Sequence, residues 1–360
     1  MNRRAEFCLG ISVSIIIFLW GIIGGILWLN LYRDQNLQLQ WLSSTPEEQG
    51  IDSAKLDEIM ELIEEQKIPI DSLLIIRHGY IVFEKYINLE EFLGHVLSGQ
   101  DNMHSLYSAT KSFTSALVGI AIKEGFIDNI NSKVVDFFPE KTIQNLDVRK
   151  KNMTLEHLLT MTTGFEWDEW TGNSAVEMMS SDNSIEYLLN LPMAYDPGTV
   201  WTYCTGASHL LSAIIKATTG YSTLEFARKY LFQPLGIFEV QWTYDRQNIH
   251  HGGHGLSLTQ RDMAKFGCMY LNNGAWDGKQ VIPAEWVAKS TETYLLPQEN
   301  NNYGYQWWVL PQSGVYYASG MYGQRIYVAP EYDMVVVFTA DIQGINPEDS
   351  LFQNILNAVY

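Results

Sequence analysis

The sequence has few cysteines and few basic residues for its length. Three cysteines occur among 360 residues, and 23 Lys and Arg stand against 41 Asp and Glu, which gives a net charge of -18. Three cysteines cannot form the disulfide framework of a small secreted domain, so the fold must depend on its hydrophobic core. The acidic excess disfavours nucleic acid as a partner, because Lys and Arg supply most of that affinity by neutralising phosphates.

Common catalytic and nucleotide-binding motifs are also missing. No Gly-x-Ser-x-Gly occurs, which disfavours an α/β-hydrolase. Neither Gly-x-x-x-x-Gly-Lys-Ser/Thr nor Gly-x-Gly-x-x-Gly is present, which disfavours an enzyme that uses a nucleotide. The hydrophobic content of 46% and the aromatic content of 13% exclude disorder over most of the chain. The sequence therefore predicts one large domain or two closely packed subdomains.

An apolar run without charged residues covers residues 7–31. It is long enough to cross roughly 30 Å of hydrocarbon as a helix. A signal peptide usually has a shorter apolar region of about 7–15 residues before a small-x-small cleavage site, and no such site follows this run. We therefore predict a transmembrane anchor over residues 1–33 and a polar stalk over 34–48, with a cleaved signal peptide as the alternative. Arg3 and Arg4 precede the helix, so the positive-inside rule favours a single-pass protein whose main domain is extracytoplasmic.

Hydrophobic patterning predicts an α+β domain over residues 49–360. Runs rich in Ile, Val, Phe and Tyr lie near both of its ends, and helical patterns broken by Gly and Pro fill the middle. The expected architecture is an antiparallel sheet from residues 49–110 and 275–360, flanked by N- and C-terminal helices, with a mainly helical subdomain inserted at about 111–274. The predicted strands are 73–77, 81–86, 315–318, 325–329 and 334–339. The predicted helices are 52–66, 113–122, 154–161, 185–191, 207–218, 223–231, 259–272 and 350–359. A cleft between the two subdomains would be a favoured position for a ligand site.

Ser108-Ala109-Thr110-Lys111 is the only Ser-x-x-Lys sequence in the chain. On one helix, side chains at i and i+3 lie about 5–6 Å apart at Cβ, so an amine can reach the hydroxyl. A serine hydroxyl needs a neighbouring base to become a good nucleophile, and a lysine whose charged form is disfavoured can be that base. Ser108 and Lys111 are therefore a candidate nucleophile and base. The alternative is a helix-terminal serine beside an exposed lysine.

Two further segments could complete such a site. Tyr203 follows a Pro-Gly turn and precedes a predicted helix, where a phenol could pass protons between an attacking serine and a leaving group. A packed tyrosine with a hydrogen-bonded hydroxyl is the alternative. Residues 319–324 lie between two predicted strands, where their glycines would let a substrate approach the backbone of an edge.

Taken together and in this order, the three segments resemble the serine β-lactamase and penicillin-binding superfamily, and most closely its class C branch. The resemblance runs from about residue 44 to residue 360. The matching segments are 45–50, 154–164, 197–199 and 261–267. Within this branch, residues 303–308 and 320–324 are most similar to the 6-aminohexanoate-dimer hydrolases.

The resemblance implies a role for each matching residue. It makes Ser108 the acylated nucleophile, Lys111 its basic partner and Tyr203 the tyrosine of a Tyr-x-Asn motif. It also implies an oxyanion hole formed by the backbone N–H groups of Ser108 and Met321.

Two positions depart from the pattern of the superfamily. Thr205 replaces the asparagine of Tyr-x-Asn, and Ala318-Ser319-Gly320 replaces Lys-Thr-Gly, which removes a cation. We therefore expect a neutral ester or amide substrate, with Thr205, Ser319 and Gly320 as substrate contacts, rather than efficient β-lactam hydrolysis. The alternatives are a β-lactamase or D-Ala-D-Ala peptidase, and a low-turnover sensor that recognises penicillin.

Other polar and aromatic segments have weaker signals. Three histidines occur in residues 250–254, but no carboxylate or cysteine is spaced nearby as in zinc motifs, so we expect no metal and a cleft-lining loop with His254 as a substrate contact. The acidic aromatic loop 166–170 is expected to be a solvated lip. The alternative is a loop that selects a cationic or amide-bearing substrate, with Trp167 as the candidate contact. Cys204 is expected to be a small buried residue. No cofactor is expected.

Overall fold

The computed structural model describes residues 41–87, 101–298, 301–344 and 347–360. The chain divides into two units, Met1–Leu42 and Ser43–Tyr360. The predicted membrane span at residues 7–31 lies outside the described residues. Among the residues that are described, none of the helices is both long enough and apolar enough to span a bilayer.

Both ends of the described chain contribute strands to one large sheet. The strands are, in chain order, β1 (Leu42–Ser43), β2 (Ile70–Arg77), β3 (Tyr80–Tyr86), β4 (Met103–Ser105), β5 (Gln241–Trp242), β6 (Leu256–Thr259), β7 (Ala275–Trp276), β8 (Lys279–Gln280), β9 (Leu295–Gln298), β10 (Asn301–Tyr303), β11 (Trp308–Leu310), β12 (Val315–Gly320), β13 (Gln324–Ala329) and β14 (Met334–Ala340). The sheet order is β1-β3-β2-β14-β13-β12-β11-β10-β9. β2 pairs with β14 antiparallel, with Arg77 opposite Met334 and Leu73 opposite Phe338. The N- and C-terminal parts of the domain therefore share one sheet, as predicted.

Helices cover the sheet and form a separate layer beside it. They are α1 (Ser53–Glu65), α2 (Thr110–Lys123), α3 (Val148–Asn152), α4 (Leu155–Leu159), α5 (Ser174–Ser180), α6 (Ser184–Asn190), α7 (Thr205–Thr219), α8 (Thr223–Ala227), α9 (Gln260–Leu271), α10 (Ala284–Ser290) and α11 (Glu348–Asn357). The apolar faces of α1 and α11 share one hydrophobic cluster with the sheet, which includes Ile59, Phe352 and Val336. This packing is the predicted arrangement of flanking N- and C-terminal helices.

Helix α2 is buried along nearly its whole length, from Thr110 to Ala121. Its buried residues include polar ones, of which Ser112 donates to the Gln306 carbonyl and Thr114 to the Gly252 carbonyl, both at 2.7 Å. It contacts α9 through the stacked rings of Phe113 and Phe266, whose centroids are 3.7 Å apart. The helix that carries the candidate nucleophile and base therefore lies inside the core, where few movements are available to its side chains.

Several elements differ from the sequence predictions. The predicted helix 223–231 is α8 followed by a π-helical turn at Arg228–Phe232. A small sheet, β4-β6-β5, was not predicted; β5 and β6 lie in the mainly helical insertion, and β4 lies before it. The strands of this small sheet have two to four residues, too few to show a period of two. The fold begins earlier than the predicted boundary at residue 49, since the Ser44 N–H donates to the Ile81 carbonyl at 3.1 Å.

Candidate active site

Ser108 lies in a single 3-10 turn, Tyr107–Ala109, directly before α2. Tyr107 has φ +45°, in the left-handed region that non-glycine residues rarely adopt. Its ring contacts the edge of the Tyr322 ring, with centroids 5.0 Å apart. Strained backbone of this kind is held by its surroundings and is frequent at functional sites.

Lys111 is 1% exposed, and its ammonium group has three acceptors within reach. Lys111 Nζ donates to Ser108 Oγ at 3.1 Å, to Thr205 Oγ1 at 3.1 Å and to the Gly253 carbonyl at 2.9 Å. A lysine ammonium has three N–H donors, so all three are used. The amine and the serine hydroxyl are therefore in direct contact, at the i and i+3 spacing of the sequence.

Tyr203 is 7% exposed and lies beside this pair. Lys111 Nζ is 4.8 Å from the centroid of its ring, a cation–π distance. The ring also stacks on Trp170 and on Trp308, with centroids 5.6 Å and 6.1 Å away. These aromatic contacts restrict the orientation of the Tyr203 ring.

A cavity of about 410 Å³ opens over Ser108. Among the predicted site residues, those that line it are Ser108, Tyr203, Ser319, Gly320 and Met321. Trp170, Trp308 and Arg325, which the sequence analysis did not identify, line it as well.

Gly320 ends β12 against the turn that carries Ser108. A Cβ atom at this position would lie 2.1 Å from the Leu106 carbonyl oxygen, so only glycine permits this close approach. The next residue, Met321, begins the turn Met321–Gly323 and is 52% exposed. Ser108 and Met321 both line the cavity, and the oxyanion hole formed by their backbone N–H groups stays a prediction.

Arg325 corrects the expectation that this side of the site has no cation. It lies on β13 opposite Ser319 and is 4% exposed. Its guanidinium donates to the Gly320 carbonyl at 2.7 Å and forms an ion pair with Glu348. Burial raises the pKa of Glu348, and the charge of Arg325 opposes that effect. A neighbouring strand thus places a cation at the cavity although the Lys-Thr-Gly lysine is absent.

Thr205 does not line the cavity, and its hydroxyl forms hydrogen bonds with buried groups of the protein. Thr205 Oγ1 accepts from Lys111 and donates to Glu169 Oε1 at 2.5 Å. Glu169 Oε2 accepts from the Thr205 N–H at 2.9 Å and from Trp167 Nε1 at 2.7 Å. Glu169 is therefore not part of a solvated lip, and Trp167, which is 8% exposed, holds this carboxylate rather than facing the cavity.

His254 does not line the cavity either. It stacks on His251 with centroids 4.3 Å apart, and burial, followed by the charges of His251 and Lys111, lowers its pKa to about 3. Both histidines are therefore neutral at pH 7, since burial also lowers the pKa of His251 to about 4. The contribution of this loop to the site is instead the Gly253 carbonyl that binds Lys111. Across the described ranges, no group of three or more His, Cys, Asp or Glu side chains is arranged to hold a metal ion.

Cys204 lies in the core directly before α7. It is fully buried, burial raises the pKa of its thiol, and its Sγ accepts from the Ala207 N–H at 3.3 Å. This confirms the prediction of a small buried residue.

Gln306 joins the helices that carry these side chains. The Ser208 hydroxyl donates to Gln306 Oε1 at 2.6 Å, and Gln306 Nε2 donates to the carbonyls of Leu158 at 3.1 Å and Leu159 at 2.9 Å. The Ser112 hydroxyl donates to the Gln306 carbonyl at 2.7 Å. One buried residue thus connects α2, α4 and α7.

Comparisons with known proteins agree with this geometry. The sequence profile of the Beta-lactamase family matches residues 54–359. The 6-aminohexanoate-dimer hydrolase of Paenarthrobacter ureafaciens is 26% identical over 294 residues, which cover 74% of this chain and 71% of that enzyme. The lovastatin esterase of Penicillium rubens is 23% identical over 274 residues, which cover 61% of this chain and 67% of that enzyme.

Solved structures show the same fold. A family VIII carboxylesterase superposes with a TM-score of 0.69 at 17% identity, over 89% of this chain and 98% of that one. A penicillin-binding protein homologue from Caulobacter crescentus superposes with a TM-score of 0.70 at 15% identity, over 85% and 97% of the two chains. Because the family profile spans most of the chain, the protein belongs to the Beta-lactamase family and is a serine hydrolase of the superfamily that includes the penicillin-binding proteins.

Proposed function

We propose that the protein hydrolyses a small ester or amide through an acyl-enzyme on Ser108. The observation that carries this proposal is the contact of 3.1 Å between the buried Lys111 amine and Ser108 Oγ. Ser108 and Tyr203 both line the cavity. A nucleophile and a base in hydrogen-bond contact are the parts that acyl transfer needs.

The proposed reaction has two steps. Ser108 Oγ attacks the substrate carbonyl carbon while its proton passes to Lys111. Tyr203 then delivers its proton to the leaving alcohol or amine as the C–O or C–N bond breaks, and it takes a proton back from Lys111, which becomes neutral again. In the second step, water attacks the acyl carbon and gives a proton to the neutral Lys111. Lys111 returns this proton to Ser108 Oγ as the bond between the acyl carbon and Oγ breaks, which releases the acid and restores Ser108. The backbone N–H groups of Ser108 and Met321 stabilise the oxyanion in both steps.

Two features of the cavity bear on the substrate. Trp170, Tyr203 and Trp308 make one wall aromatic, which suits an apolar acyl or leaving group. Arg325 lines another side, where its charge is balanced by the ion pair with Glu348, so a substrate carboxylate would compete with that pair. This arginine is the specific observation that favours the second candidate function, a β-lactamase or D-Ala-D-Ala peptidase.

Hydrolysis of a short-chain nitrophenyl ester by the wild type and by Ser108→Ala tests the proposal. We expect a loss on the order of 10³-fold or more in Ser108→Ala, and an acyl adduct on Ser108 in the wild type by mass spectrometry. A chromogenic cephalosporin and the linear dimer of 6-aminohexanoate, run in parallel, separate the candidate substrates. Rapid cephalosporin turnover would favour the β-lactamase, whereas equal ester turnover by Ser108→Ala would exclude the mechanism.

Membrane anchoring through residues 7–31 is part of the same proposal. Its support is the length of the uncharged run in the sequence. Expressed at full length, the protein should stay with the membrane pellet after washing with alkaline carbonate. A mature product that has lost this segment, detected by its mass, would indicate a cleaved signal peptide instead.

A further inference from the structure

We propose that Glu169 is a positioning residue that acts through Thr205 to aim the Lys111 amine at Ser108. The inference rests on the proposed Ser108 hydrolase and explains how a threonine can stand where the superfamily pattern has asparagine. Glu169 touches neither Ser108 nor the cavity, and its effect passes through one hydroxyl group.

Glu169 fixes the direction in which the Thr205 hydroxyl donates its proton. Glu169 Oε2 faces two groups that can only donate, the Thr205 N–H and the Trp167 indole N–H. Glu169 Oε1 accepts the hydroxyl proton of Thr205 at 2.5 Å. An ionised carboxylate has no proton to give, so the Thr205 hydroxyl can act toward Lys111 only as an acceptor.

Lys111 must be neutral to act as a base. A neutral amine has two N–H donors and one lone pair. The Gly253 carbonyl at 2.9 Å and Thr205 Oγ1 at 3.1 Å both accept, so they take the two N–H groups. The remaining direction is toward Ser108 Oγ at 3.1 Å, which places the lone pair on the proton that must be removed.

Without the Glu169 carboxylate, the Thr205 hydroxyl has no fixed donor direction. A threonine hydroxyl can rotate and donate as readily as it accepts. If it donated to Lys111, it would occupy the lone pair that Ser108 needs. Glu169 therefore gives the hydroxyl a fixed direction.

Glu169→Gln reverses this direction with almost no change in shape. The two N–H groups at the Oε2 position require the carbonyl oxygen of the new amide there, which places its NH₂ group at the Oε1 position. Thr205 Oγ1 must then accept from the glutamine and turn its own proton toward Lys111. We expect kcat for the nitrophenyl ester to fall about 10- to 100-fold, with KM little changed, because the loss concerns proton transfer and not substrate contact.

The matched control is Glu166→Gln, the same change in charge in the same loop. Glu166 is exposed, so this variant should retain wild-type kcat and KM. Thermal unfolding and the amplitude of the nitrophenol burst measure the folded and active fraction of each variant. Normalising kcat by that fraction separates misfolding from a change in the chemical step.

A double-mutant cycle with Thr205→Val tests the route through the hydroxyl. When that hydroxyl is absent, Glu169→Gln should change kcat by less than about twofold. An equal loss in both backgrounds, an unchanged kcat in Glu169→Gln alone, or an effect on KM only would each overturn the positioning role. Ser108→Ala separates a failure of the proposed hydrolase function from a failure of the positioning role of Glu169. If the wild type has no activity that depends on Ser108, the proposed function fails and this inference fails with it, whereas a Ser108-dependent activity that ignores Glu169 refutes the inference alone.

Discussion

Gly253→Ala should damage the site although Gly253 has no side chain that is proposed to react. Gly253 lies against both Lys111 and Thr205. A Cβ atom there would lie 2.8 Å from Thr205 Cγ2, 3.2 Å from Lys111 Nζ and 3.3 Å from the Thr205 carbonyl oxygen. Gly253 does not have a left-handed φ, so steric contact, and not backbone strain, is the cost of the substitution.

The size of the effect follows from these contacts. Carbon atoms in favourable contact are about 3.5–4.0 Å apart, so the 2.8 Å contact requires a shift of up to about 1 Å. Overpacking of this kind costs about 1–3 kcal/mol of unfolding free energy. A displacement of about 1 Å between reacting groups can lower a rate about 100-fold. We therefore expect kcat for ester hydrolysis to fall between about 10- and 100-fold, because the Gly253 carbonyl and Thr205 can no longer hold Lys111 together.

Steady-state ester hydrolysis and urea unfolding provide the assay. Thr205→Ser removes Cγ2 but keeps the hydroxyl, so it removes the shortest of the new contacts. The loss caused by Gly253→Ala should therefore be smaller in the Thr205→Ser background than in the wild type. The reasoning is refuted if the two losses are equal, or if Gly253→Ala retains the wild-type kcat.

Two further predictions concern stability. Gln306→Met should lower the free energy of unfolding in urea by about 1–3 kcal/mol, because it leaves the buried Ser208 hydroxyl without its acceptor and removes two hydrogen bonds to the Leu158 and Leu159 carbonyls, which keep only backbone donors. The exposed Gln233→Met should change it by less than about 0.5 kcal/mol. Similar values for the two variants would contradict the role of Gln306. Burial and, to a smaller extent, the charge of Asp341 raise the pKa of Asp71 from 3.8 to about 6. The contribution of protonated Asp71 to the free energy of unfolding is therefore complete below pH 3.8 and is lost as the pH rises through 6. Asp71→Asn should therefore gain stability relative to the wild type between pH 4 and pH 7, by about 3 kcal/mol at most, and a constant difference over this range would refute the assignment.

Local patterns in the sequence were sufficient for the flanking helices, for five strands of the large sheet and for the Ser108–Lys111 pair. The amphipathic pattern of 52–66 and the strand pairs near both chain ends predicted α1, β2, β3 and the C-terminal strands, because periodicity reports which face of an element is buried. The contact between Ser108 and Lys111 follows from their spacing on one helical turn. The superfamily was evident from motifs that are short and continuous.

The partners of that pair were decided by the tertiary structure. Glu169 is 36 residues from Thr205, and Gly253 is 142 residues from Lys111, so no local pattern connects them. Arg325 reaches the cavity only because the register of β12 and β13 sets it opposite Ser319. Periodicity shows that a side chain is buried but not what lies against it, and hydrogen bonding between distant segments depends on how the layers pack. The sequence therefore determined which groups could react, and the packing of distant loops determined how they are held.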